Sequence, residues 1–136
     1  MVLRLINAAV LSLAPHHEAR DNAPGTFADL WRTPGIVYAG ASDRTIYRDQ
    51  VVNWAFRAWH DQTRLAFGHD FTQAGEALTC EAQALAFMRA YPSAPEAMVR
   101  LWLDTEINAQ VRYLEAHGAF PDDQTGLDNS LAAWLG

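Results

Sequence analysis

Residues 53–81 set Arg57, His60, Asp61, Glu76 and Cys80 among large aromatic side chains, on what read as two consecutive helices. Ionisable groups in an otherwise apolar helical pair belong either to a polar network inside a bundle or to a site. Projected at about 100° per residue, a later helix places Glu106 and Gln110 in the middle of an apolar arc. A lone buried carboxylate is costly, so these two must be hydrogen-bonded or paired. If the three helices pack together, Arg57, His60, Glu76, Glu106 and Gln110 converge. In a catalytic reading Glu76 or Glu106 serves as base or ligand, and His60 as ligand or proton shuttle. Arg57, with Arg64 and Gln110, then binds an anionic substrate group.

Metal chemistry is the sharpest form of that reading. His60, Asp61, Glu76 and Glu106 offer the nitrogen and oxygen ligands that divalent metals take, and a metal-assisted phosphoester hydrolase would follow. The His-Asp pairs 60–61 and 69–70 both match the dipeptide of metal-dependent all-α phosphohydrolases, but no upstream His stands at suitable spacing outside the loop that holds His16 and His17. No Glu has His three residues later, the mark of ferritin-like carboxylate bundles. Glycine-rich phosphate loops, Gly-x-Ser-x-Gly elbows and Cys-x-x-Cys pairs are absent. A Cys80–His60 nucleophile would lie mid-helix with no nameable oxyanion donor. The alternative for each group is structural: a solvated stripe over Asn53, Arg57, His60 and Arg64, an ion pair from Glu76 to Arg57 or Arg64, and a register-fixing network around Glu106 and Gln110. Cys80 and the five tryptophans read as core.

Composition narrows the classes. At 136 residues, 50% hydrophobic and 19% charged, the chain is expected to be a single helical domain over residues 1–136. A net charge of −6 argues against nucleic acid, whose binding is largely phosphate neutralisation. All ten basic residues are arginine, which a GC-rich coding sequence explains more simply than a selected role. One cysteine cannot form an intrachain disulfide. The apolar run over 2–13 is interrupted by Arg4 and Asn7 and reads as an amphipathic first helix rather than a signal peptide. No stretch is long enough to span a membrane. The expectation is a cytoplasmic protein with no cofactor, the divalent metal belonging to the hydrolase alternative.

The elements that must position these residues follow from periodicity and punctuation. Apolar residues at three- and four-residue steps predict helices over 3–13, 26–32, 49–67, 72–91, 95–117 and, more weakly, 122–135. Asp49 and Thr72 are suited to N-caps, and Gly68 and Gly118 to helix ends. The third helix shows a wide apolar surface from Val52, Phe56, Trp59, Ala66 and Phe67, which places it centrally. Asp104, Asn108, Arg112 and Glu115 should form the solvated side of the fifth. Residues 35–47 read as an irregular loop in preference to a short hairpin. The fold class is therefore an all-α compact bundle of five to six helices.

One resemblance adds to this. Ala-Ser-Asp-Arg-Thr-Ile-Tyr at 41–47, Val-Asn-Trp-Ala-Phe-Arg-Ala-Trp-His-Asp at 52–61 and Phe-Thr-Gln-Ala-Gly-Glu at 71–76 resemble a group of small uncharacterised proteins from phages, plasmids and integrated elements. Asp-Thr-Glu-Ile-Asn-Ala-Gln at 104–110, Tyr113 and Gly-Ala-Phe-Pro-Asp-Asp-Gln at 118–124 resemble the same group. In that group the His-Asp pair is commonly followed by a second His one turn later; here the position is Arg64, which weighs against a metal. The resemblance implies a helical fold and a mobile-element setting. The leading expectation is thus an accessory protein acting by protein–protein contact, with an unidentified protein or a second copy of itself as partner.

Overall fold

Capping chemistry fixes the two helices that carry most candidate residues. The computed structural model describes residues 2–23, 27–40 and 45–118, the side chains of 2 and 109–113 apart. Within them run α1 (Val2–Leu13), β1 (Glu18–Arg20), α2 (Phe27–Arg32), β2 (Ile36–Tyr38), α3 (Gln50–Phe67), α4 (Gln73–Ala90) and α5 (Glu96–Leu103). A π-helical stretch, Asp104–Ala109, carries α5 on into α6 (Gln110–His117). Asp49 caps α3 by accepting the Val51 N–H, and Gly68 ends it in the left-handed region at φ 70°. Thr72 caps α4 by accepting the Gly75 N–H. Only a glycine fits at 75, because a Cβ there would stand 2.3 Å from the Asp70 carbonyl oxygen. The corner between α3 and α4 therefore lies backbone against backbone on the first turn of α4. A corner this short makes the two helices antiparallel neighbours.

The described chain is an all-α bundle with one small sheet. Its core joins Ile6 and Val10 of α1, Phe56 and Trp59 of α3, Phe87 of α4 and Trp102 of α5. Trp102 is the centre: its ring lies 5.1 Å from Phe87, 6.2 Å from Phe56 and 6.2 Å from Trp59, centroid to centroid. Such aromatic contacts add to the large apolar area these rings bury. Cys80 is buried among them as a core residue.

Four expectations are corrected by the fold. Ile36–Tyr38 is neither a loop nor half of a hairpin; it pairs in parallel with Glu18–Arg20, with Glu18 opposite Ile36 and Arg20 opposite Tyr38. Parallel pairing needs a crossover, which α2 supplies. The partner strand Glu-Ala-Arg has no β-branched or aromatic residue to announce it. Next, the helix expected over 95–117 is not regular, since the π-helical turn widens it at 104–109. Consequently Asp104 and Asn108 are half-buried, and the Asn108 side chain donates to Asp104 at 2.9 Å instead of facing solvent. Trp31 is not core but 58% exposed, on the short α2. Finally, the apolar surface of α3 stops short of its end: Ala66 and Phe67 are exposed, the latter by 65%. The helix predicted over 122–135, Trp134 with it, lies outside the described residues. Among the described residues no helix is long and apolar enough to cross a membrane.

Candidate functional site

Helical spacing alone brings one group of polar residues together. His60 and Arg64 are one turn apart on α3, and Glu76 and Gln83 are two turns apart on α4. In an antiparallel pair, stepping back from Arg64 to His60 means stepping forward along α4, so the imidazole reaches between Glu76 and Gln83. Its Nδ1 lies 2.6 Å from Gln83 Oε1 and its Nε2 lies 2.7 Å from Glu76 Oε2. The other oxygen of Glu76 accepts from the Arg64 guanidinium. Arg64 is buried, and the Phe71 ring covers its guanidinium at 3.9 Å. A hydrophobic residue just before an N-cap usually packs on the helix's own first turns. Here Phe71 instead closes over the cation that binds Glu76.

Electrostatics follow this geometry. Burial alone would push the Glu76 carboxyl up, but the hydrogen bond and charge of His60, reinforced by Arg64, outweigh it and hold Glu76 below the ordinary carboxylate range. Asp61 goes the other way. Burial raises it, the charges of His60 and Arg64 oppose the rise, and Glu76 adds to it. Cys80, on the same face of α4, is pushed up to about 12 by burial and by the negative charges of Asp104 and Glu81. A thiol held protonated in this way is no nucleophile.

A second polar group surrounds the π-helical turn. Glu106 is buried at 7% exposure and acts on the fully buried Tyr47 through both its charge and a hydrogen bond. Burial first and Glu106 second raise the Tyr47 phenol well above its usual range. The same hydroxyl accepts the Trp102 indole N–H at 3.1 Å. Arg57 feels the charges of Glu106 and Asp61, while burial lowers its own pKa. Its guanidinium donates to the Tyr38 and Gly40 carbonyls, and the Trp54 indole N–H donates to the Ala39 carbonyl at 3.0 Å. Arg57 thus fastens the end of β2 to α3.

Of the residues singled out in the sequence, His60, Arg64 and Glu76 are in direct contact, with Asp61 beside them. Arg57 and Glu106 sense each other electrostatically. The side chain of Gln110 lies outside the described residues. His60 and Glu76, the centre of the expected metal set with Asp61 and Glu106, spend their bonds on each other, on Gln83 and on Arg64. Among the described residues no group of three or more His, Cys, Asp or Glu side chains is placed to hold a metal ion. Sequence reasoning put Gln83 on the face of Glu76 without counting it in the site, and passed over Tyr47 and Phe71 as site residues. Gln83 was legible, because it shares the face of Glu76 at a seven-residue interval. Tyr47 and Phe71 lie outside the helices and carry no periodic signal. Compared with known proteins, the chain matches no family model, no curated protein and no solved structure.

Proposed function

We propose that this protein works by docking on another protein, and that the His60–Glu76 cluster fastens α3 to α4 rather than catalysing a reaction. One observation carries the reading. Both ring nitrogens of His60 and both carboxylate oxygens of Glu76 already have partners within the chain. A base, shuttle or ligand needs an open position facing its substrate or metal, and these groups are committed elsewhere. Large apolar side chains, by contrast, are turned outward: Trp31, Phe67 and Leu78 are each more than half exposed. Aromatic and large aliphatic anchors of this kind dominate binding energies at protein interfaces. The net charge of −6 suits a partner with a basic surface. An accessory role in a mobile element agrees with the setting that the resemblance of residues 41–124 implies.

Two measurements test the reading together. Serine at Trp31, Phe67 or Leu78 should leave the thermal transition in place and abolish capture of a partner by the purified protein. Elemental analysis of untagged protein by plasma mass spectrometry should find no stoichiometric metal. Near-stoichiometric metal, lost in both His60→Ala and Glu76→Ala, would overturn the proposal in favour of metal-assisted phosphoester hydrolysis.

A further inference from the structure

Helix α4 is apolar on its outer side as well as its inner one. Thr79, Cys80, Gln83, Ala84 and Phe87 are buried on the inner side. The opposite side carries Ala74, Leu78, Glu81 and Leu85, all of them exposed. A helix that is apolar all round is ordinarily covered all round. Here Leu78 and Leu85 stand 56% and 49% exposed, two turns apart on one line. With Ala74 and Glu81 they recur at steps of four, three and four residues, the spacing by which one helix seats its side chains against another.

The charges beside this strip indicate what covers it. Glu81 lies one turn before Leu85 and Arg89 one turn after it. Glu81 is fixed in place by Arg100 of α5, which donates to its two oxygens at 2.6 and 3.2 Å and also to Glu96 at 2.9 Å. Arg89 is exposed and forms no ion pair among the described residues. We propose that the outer face of α4 joins two copies of this chain, with their α4 helices antiparallel about a two-fold axis that passes beside Leu85. A two-fold interface must be complementary to itself. Because Glu81 and Arg89 are equally far from Leu85, this axis sets Glu81 against Arg89 of the partner subunit and Arg89 against the partner's Glu81. Leu85 then packs on the partner's Leu85.

Charge also selects this register over its neighbour. Sliding the pair until Leu78 met the partner's Leu85 would move the axis beside Glu81 and bring the two Glu81 carboxylates together. Like charges so placed cost several kcal/mol. With the axis at Leu85, each Glu81 instead lies between its own Arg100 and the partner's Arg89, and each Arg100 keeps Glu96. The four charged groups that each chain brings to the seam, Glu81, Arg89, Glu96 and Arg100, sum to zero. An 18-residue helix is about 27 Å long, so one helix pair makes a small interface. The dimer should accordingly be weak, with a dissociation constant on the order of 10 µM. The inference rests on the docking reading and names the partner for one face; Trp31 and Phe67 lie off α4 and are left to a different protein.

Sedimentation equilibrium of the full chain over a concentration series is the test. Wild type should pass from the mass of one chain to that of two as concentration rises. Leu85→Glu sets two carboxylates at the axis and should weaken association about a hundredfold, with the circular dichroism unchanged. Glu81→Arg and Arg89→Glu should each be monomeric alone, yet an equimolar mixture of the two should recover the dimer. In that mixture one chain brings only arginines to positions 81 and 89 and the other only glutamates. Wild type that stays monomeric up to about 1 mM would overturn the proposal. So would a dimer that Leu85→Glu leaves intact, or a mixture of the two charge variants that stays monomeric. A monomeric chain that still captures another protein, and loses it in Trp31→Ser, would overturn the pairing and leave the docking reading standing. Stoichiometric metal in a chain that dimerises as described would support the pairing and fault the docking reading alone.

Discussion

Two of the polar groups buried among the described residues are built differently. Between α3 and α4, His60, Arg64, Glu76 and Gln83 meet because regular helices return side chains to the same face every three or four residues. Around α5, Glu106 meets Tyr47 because a helix departs from regularity and a non-helical segment lies across it. The first group is charged, and its His60 and Glu76 side chains are 12–13% exposed at a seam. The second is centred on a phenol and an indole at the middle of the core. Charge is tolerated at the seam because each charge has an opposite neighbour, whereas the core admits one carboxylate with an arginine nearby.

If the seam depends on paired charge, breaking one pair should have the largest effect. Glu76→Ala leaves both His60 and Arg64 without their carboxylate and should cost about 3 kcal/mol in urea unfolding at neutral pH. The sign with pH is fixed by the lowered carboxyl: its contribution is full above the ordinary carboxylate range and is lost as pH falls through its folded value. Wild type and Glu76→Gln should therefore converge in stability at acid pH. For the core group, Tyr47→Phe removes the hydroxyl shared by Trp102 and Glu106 and should cost about 1.5 kcal/mol, with no change in packing volume to confuse the reading. A loss larger than that of Glu76→Ala would reverse the ranking of the two groups.

Smaller effects sharpen the same contrast. Phe71→Ala uncovers Arg64 and should lower stability by about 1 kcal/mol, with most of the added amide exchange confined to the α3–α4 corner. Asp61→Asn should be neutral or slightly stabilising, by about 0.5 kcal/mol at neutral pH. Its carboxyl is raised by burial, so the ionised form is disfavoured in the folded chain; that penalty builds as pH rises from the ordinary carboxylate value and is complete above the folded one. Asparagine removes the penalty and leaves the His60–Glu76 bond intact.

Legibility in the sequence follows the same division. The boundaries of α3 and α4 were readable from Asp49, Gly68 and Thr72, because caps are local and need no tertiary context. The contact of His60 with Glu76 was readable from spacing, and Gln83 could have been added on the same ground. Strand β1 was not readable, since Glu-Ala-Arg becomes a strand only because Ile-Val-Tyr is placed beside it by α2. The π-helical turn left no mark in composition, so projecting 95–117 at a constant angle turned Asp104 and Asn108 to solvent. Phe67 and Trp31 show the remaining limit: periodicity identifies an apolar face, but the packing partner decides how much of it is covered.

Gly75 bears on how the seam can evolve and how it can move. The corner touches α4 through main-chain atoms at that residue, and even one added methyl would collide with the Asp70 carbonyl. Spacing there cannot be graded by exchanging a small side chain for a slightly larger one. Helix and corner should then be either seated or apart, with no small step between for a substitution to fill. Motion at this end of the protein should accordingly be two-valued, like a snap fastener rather than a spring, and mutation should find the joint invariant or broken.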